Sequence, residues 1–276
     1  MSTRLYQLLS CPRCGTAPKP GEARCPGCGR PLVAARGGLD LLDDDARIAA
    51  DRFSERYTAL RRREGWVGAN GREDPTGGAS RLWSGRIAAV SAAAAELSSR
   101  WPGPGRPVVL DIGSGGGWAA RYLPDADVIG IDLLNAEPPP SPLQVRGDMG
   151  RLPVRDATVD AALYAASLHY APINDVIREA ARVLRPGGLI LAVDSPMYRN
   201  DRDRARAEAR SEAYYIRAGF PELAARYHPI DASALRAALS DAGFEVLRLD
   251  TGRPAARWWE RLGRPRSPSF LAARLT

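Results

Sequence analysis

What most constrains this chain is an alternation of short apolar runs with helix-period segments that begins at residue 107. Val108-Val109-Leu110 reads as a buried strand and runs into Asp111-Ile112-Gly113-Ser114-Gly115-Gly116-Gly117, and residues 116–123 then open a helix. Asp127-Val128-Ile129-Gly130-Ile131, Leu143-Gln144-Val145 and residues 159–164 read as the second, third and fourth strands. Residues 173–184 carry a helical period, Arg185-Pro186-Gly187-Gly188 turns the chain, and residues 189–193 make a fifth strand. Strands alternating with helices pair in parallel, with helices on both faces of the sheet. Such a sheet takes its ligands outside the carboxyl ends of its strands.

The glycines of residues 111–117 allow positive φ and let a ligand approach the backbone closely. Two ligand classes use a loop of this kind. A dinucleotide sets its pyrophosphate on the helix N-terminus and wants a third glycine three residues after the second. That position is Trp118, a poor substitute where helix and strand must pack tightly. S-adenosylmethionine has no phosphate, and its methionyl carboxylate and amine need only backbone groups and a nearby acid. Asp132, at the end of the second strand, can accept both ribose hydroxyls of either class.

The run Val108 to Gly117 resembles motif I of class I S-adenosylmethionine-dependent methyltransferases. Further motifs follow in family order over about 140 residues: Asp132, Asp148-Met149, Asp160 through Tyr170, and Leu184-Arg185-Pro186-Gly187-Gly188-Leu189. The resemblance implies an α/β, Rossmann-like sheet of seven strands, the last antiparallel, with strand six near residues 241–246 and strand seven near 269–275. It implies a cofactor site made by Asp111, Gly113, Ser114, Gly115, Asp132, Leu133 and Ala165. Asp148 would take the adenine amine and Met149 the ring face, and Tyr57 would close over the cofactor from an N-terminal helix.

Methyl transfer from a sulfonium is an in-line displacement with a good leaving group, so positioning supplies much of the rate. A general base is needed only for an acceptor that is protonated at rest. His169, just past the fourth strand, is the candidate catalytic residue, as a base or acceptor-orienting group; the alternative is a packing residue in the exit loop. His228 reads as structural, and Tyr214 and Tyr215 as a helix face. An Asn-Pro-Pro-Tyr motif is absent, Ser167-Leu168-His169-Tyr170 standing in its place, which argues against exocyclic adenine methylation.

All four cysteines fall within eighteen residues, as Cys11-Pro-Arg-Cys14 and Cys25-Pro-Gly-Cys28. Two C-x2-C turns supply four thiolates, the donor set of a closed structural zinc site. About 30 residues could not fold on apolar burial alone, so Zn2+ should hold this module together. It resembles the zinc ribbons ahead of some bacterial methyltransferase domains, and distantly the zinc module of ribosomal RNA guanine-N1 methyltransferases, where a histidine stands in place of Cys28.

These signals divide the chain into a zinc ribbon (1–42), a helical extension and linker (43–105) and the methyltransferase domain (106–276). Residues 43–64 and 83–97 read as helices, and 65–78 as a loop. The net charge is +7, but only Lys19 among 39 basic residues is a lysine. That bias, with abundant Ala, Gly and Pro, reads as GC-rich composition rather than a phosphate-binding surface, and Arg61-Arg62-Arg63 as a solvated helix face. No run of about 18 apolar residues appears, so no membrane partner is expected, nor a signal peptide, and the expected location is cytoplasmic. The leading expectation for function is methylation of O, N or C on a small metabolite. The alternatives are methylation of ribosomal or transfer RNA, and a cofactor-binding protein that scaffolds cyclisation or regulation without methyl transfer.

Overall fold

The structure is a computed structural model. It describes the chain apart from residues 1–2, 34–37, 69–79, 102, 138, 140–141, 252–267 and 276, and apart from the side chains of 80–82. The expected loop at 65–78 lies largely outside the described residues. Among the described residues no helix is long and apolar enough to cross a membrane.

After a single helical turn, α1 (Thr3–Tyr6), and a short strand, β1 (Leu39–Asp40), come two long helices, α2 (Asp44–Arg63) and α3 (Ser80–Arg100). The core then alternates: β2 (Val108–Ile112), β3 (Asp127–Asp132), β4 (Leu143–Arg146), β5 (Val159–Ala165), α4 (Ile173–Val183) and β6 (Leu184–Val193). An insertion carries β7 (Met197–Tyr198), α5 (Asp201–Ala218) and β8 (Ile230–Asp231). The chain finishes with α6 (Ala232–Asp241), β9 (Phe244–Asp250) and β10 (Ser269–Arg274).

The fold is α/β, with one mostly parallel sheet in the order β1-β4-β3-β2-β5-β6-β10-β9. β10 runs antiparallel to both β6 and β9. Side chains alternate across the sheet. Val108, Leu110 and Ile112 face α4 and α6, while Val109, Ala161, Leu163 and Leu191 face α3. Every residue of β5 is buried, as a central parallel strand covered on both faces requires.

Two features depart from the sequence reading. The sheet has an eighth strand, because β1 from the cysteine-bearing segment pairs in parallel with β4 at the edge. The helix expected at 116–123 is only a 3-10 turn at Ala119–Tyr122. Gly115 and Gly117 take φ of 56° and 79°, outside the helical region. The few residues left before Pro124 are too short a run to nucleate an α-helix.

The cysteine module is not a separate bead. Leu9, Cys11, Cys25, Leu32 and Leu41 belong to the same buried cluster as Ile129, Val145 and Val154 of the sheet layer. Backbone bonds cross the junction: Ser10 N–H to Pro153 O at 2.9 Å, Arg155 N–H to Leu8 O at 2.8 Å, and Leu41 N–H to Arg146 O at 2.9 Å. The buried Arg146 fastens the same edge, reaching Asp51 at 2.6 Å, Asp40 at 3.4 Å and the Leu133 carbonyl at 3.1 Å.

Candidate active site and cysteine cluster

β2 is flanked by β3 on one side and β5 on the other, so the strand order switches at the end of β2. The glycine loop leaves the sheet at that point. Gly113 has φ 71°, and a Cβ there would stand 2.4 Å from Cβ of Ser167 in the loop after β5. The glycine is therefore required by the protein's own packing, before any ligand is considered. Gly113→Ala should destabilise the chain by about 2–4 kcal/mol, from left-handed strain plus overpacking, and urea denaturation would check it.

A cleft open to solvent lies over this switch point. Of the residues expected at a cofactor, Gly113, Gly115, Asp132, Leu133, Asp148, Met149 and Tyr57 line it. Asp132 accepts the Gly115 N–H at 2.7 Å and the Leu134 N–H at 2.9 Å. Burial raises its pKa, and backbone N–H donors pull the other way. Asp148 accepts the Gly150 N–H at 2.7 Å. Three expected residues are not among those lining the cleft. Asp111 is wholly buried in β2; Ser114 is buried with its hydroxyl donating to Gln144 Oε1 at 3.0 Å; Ala165 is buried at the end of β5. The next residue, Ala166, lines the cleft instead, with φ 58°. Left-handed backbone without glycine is strained and concentrates at functional sites.

His169 does not line the cleft. It is buried between the rings of Tyr170, at 4.5 Å, and Tyr227, at 5.4 Å, and its carbonyl accepts the His228 N–H at 2.8 Å. Burial, with the charges of Arg86, Arg61 and His228 facing it, pushes its pKa down to about 3. An unfolded imidazole titrates near 6.5. Between the two values the unfolded chain binds the extra proton, so His169 removes stability as pH falls through that window. From pH 7.5 to 5.0 the chain should lose about 2 kcal/mol more than its His169→Gln variant does, measured by denaturant titration at both pH values. Tyr214 and Tyr215 are likewise not among the cleft-lining residues; Tyr215 packs with Leu60, Phe220 and Leu223 under the insertion.

Apart from Tyr57, the opposite wall of the cleft escaped the sequence reading. Phe53, Tyr57 and Arg61 on α2, Trp66 and Val67 after it, and Trp83 and Arg86 on α3 all line it, with Tyr170 and Arg226. Arg61 is not on a solvated face. It is buried, its Nη1 bonds Glu64 at 2.6 Å and its Nη2 donates to Tyr170 Oη at 3.3 Å. Its guanidinium stacks over Tyr57 at 4.6 Å and Trp66 at 4.3 Å, and Arg86 covers Trp66 at 5.1 Å. Arg86 also pairs with Asp194 at 2.7 Å. One sequence signal pointed here: Tyr57 and Arg61 are four residues apart, hence neighbours on one helix face.

The four cysteines converge. Cys11 N–H bonds Thr16 O at 3.0 Å and Cys25 N–H bonds Arg30 O at 2.9 Å, so the two turns are geometric copies. Gly15 and Gly29 close them with φ of 74° and 72°. The four sulfurs lie within 4.8 Å of one another, Cys11 and Cys28 at 3.8 Å and Cys14 and Cys25 at 3.5 Å.

Residues 110–192 match the family described as the methyltransferase domain. A fatty-acid O-methyltransferase of Mycolicibacterium smegmatis is 38% identical over 104 residues, 33% of this chain and 38% of that protein. A ubiquinone/menaquinone biosynthesis C-methyltransferase of Caulobacter vibrioides is 32% identical over 141 residues, 43% of this chain and 52% of that protein. The chain thus spans between a third and about half of these relatives. The [4+2]-cyclase SpnF shares the fold at TM-score 0.50 and 18% identity, over 84% of this chain and 95% of its own. Sheet order and glycine loop agree with the match: the sheet is α/β and Rossmann-like, and its residues 110–192 match the methyltransferase domain family.

Proposed function

We propose that the chain transfers the methyl group of S-adenosylmethionine to an O, N or C acceptor on a small metabolite. The observation that carries this reading is the gathering of Gly113, Gly115, Asp132, Asp148 and Met149 around one cleft at the carboxyl ends of the parallel strands. In the reading, Gly113 and Gly115 face the methionyl group, Asp132 takes the ribose hydroxyls, and Asp148 with Met149 takes the adenine. α2 and the insertion roof the cleft, which favours a small acceptor over a polynucleotide. Relatives named for fatty-acid, malonyl-[acyl-carrier protein] and ubiquinone/menaquinone methylation support the same class.

The cysteine cluster is proposed as a structural Zn2+ site. Zinc–sulfur bonds of about 2.3 Å in a tetrahedron place sulfurs about 3.8 Å apart, and the two closest pairs stand at 3.8 and 3.5 Å. Four thiolates leave no open position, so the ion would do no chemistry. Calorimetric titration with S-adenosylhomocysteine should show one site per chain. Absence of binding to a folded chain would refute the methyltransferase reading.

A further inference from the structure

Opposite the cofactor-side residues, the cleft wall is aromatic and cationic. Phe53, Tyr57, Trp66 and Tyr170 supply apolar surface, and Arg61, Arg86 and Arg226 supply charge. Among the described lining residues the carboxylates are Asp132 and Asp148, both on the cofactor side. Glu64 and Asp194 neutralise Arg61 and Arg86, and among the described residues no ion pair is formed by Arg226, whose guanidinium lies over Phe53 at 5.6 Å.

Two buried donors on this wall have no hydrogen-bond partner among the described residues: Arg61 Nε and Trp83 Nε1. Burying such a donor unpaired is costly, most of all on a charged group. Among its described residues the wall also shows no proton acceptor of the usual kind. No His, Lys or Cys is among the described lining residues, and His169 is held neutral behind Tyr170. An acceptor that needs no deprotonation must offer a free lone pair near neutral pH, and the cationic wall selects one that is already ionised. Carboxylic acids, with pKa near 4, meet that condition.

We infer that the acceptor is a carboxylate carried on an apolar acyl or aryl body, methylated on oxygen to a methyl ester, with Arg61 and Arg226 as its binding residues. The inference rests on the methyltransferase reading above. In the reaction a carboxylate oxygen lone pair forms the new O–CH3 bond. The S–CH3 bond breaks with its electron pair going to sulfur. The sulfonium becomes a neutral thioether, the carboxylate a neutral ester, and no proton is transferred. The apolar body would lie against Phe53, Tyr57 and Trp66. The rival occupant of the Arg61 donor is the cofactor's own methionyl carboxylate, which the experiment separates.

The test supplies the full-length chain with methyl-tritiated S-adenosylmethionine and matched acceptors: medium-chain fatty acids, aryl-acetic acids, and the corresponding alcohols, amides and phenols. A methyl ester releases volatile tritiated methanol in alkali; ethers, methylamines and C-methyl products do not. Alkali-labile counts are expected with acids alone. Arg61→Met and Arg226→Met should each raise the KM for the acid at least tenfold while the Kd for S-adenosylhomocysteine moves less than twofold. Arg226 is only half-buried, so its variant keeps the test open if Arg61→Met does not fold. The proposal is overturned by an alkali-stable methylated product, by acids that give no ester although the homocysteine product binds, or by an Arg61 variant that loses the cofactor product rather than the acid. A folded chain that binds no cofactor product would instead sink the reading beneath it.

Discussion

Replacing Cys25 with serine, or stripping metal with a strong chelator, should lower the unfolding temperature of the whole chain in one cooperative step by roughly 10 °C or more. The cysteine module shares its core with the sheet. Cys11, Cys25, Leu9 and Leu32 are each at most 2% exposed and pack in the cluster that holds Ile129, Val145 and Val154. Three backbone hydrogen bonds and the β1–β4 pairing join the two parts. Structural zinc contributes about 10–16 kcal/mol in small peptides, against about 5–15 kcal/mol for the net stability of an entire domain. Losing even part of that through a shared core leaves no intact remainder to melt later. Scanning calorimetry of the metal-replete, chelated and Cys25→Ser forms checks this, with zinc content measured alongside. Two separate transitions, or a transition insensitive to the chelator, would show a module that neither needs metal nor supports the sheet.

The second large effect is expected at Asp132. Its carboxylate takes the Gly115 and Leu134 N–H groups, so it pins the glycine loop to the end of β3. An ionised carboxylate accepts about four hydrogen bonds, which leaves lone pairs for a ribose. Asp132→Ala removes that acceptor set and frees the loop. Two lost bonds to a charged group, about 1.5–3 kcal/mol each, correspond to a Kd for S-adenosylhomocysteine raised about 10²- to 10⁴-fold. Asp132→Asn keeps one carbonyl oxygen and should fall between. Calorimetric titration reads both variants, with thermal melting to confirm that they fold. Unchanged affinity in a folded Asp132→Ala would place the cofactor elsewhere.

Much of the glycine-loop side of the cleft was legible because its signals are local. A glycine loop after an apolar strand and an acid at the next strand's end are patterns of a few residues each. The structure sets Gly113, Asp132 and Asp148 around one cleft because parallel strands end on one edge of the sheet. Where local readings slipped, the cause was also physical. Residues 116–123 look helical by composition, yet left-handed Gly115 and Gly117 leave too short a run before Pro124.

The strand–helix alternation, the glycine loop and the two cysteine turns are all readable without any tertiary contact. Each is a contact between near neighbours or a periodicity of burial, and both are written along the chain. Tertiary structure alone decided the character of the opposite wall. Arg61 stands in a run of three arginines that reads as solvated, but it is buried because Tyr170, 109 residues later, and the insertion after β6 close over α2. It likewise joined the cysteine module to the sheet through β1. Which face of a helix meets solvent depends on what covers it, and that covering comes from chain too distant in sequence for periodicity to record.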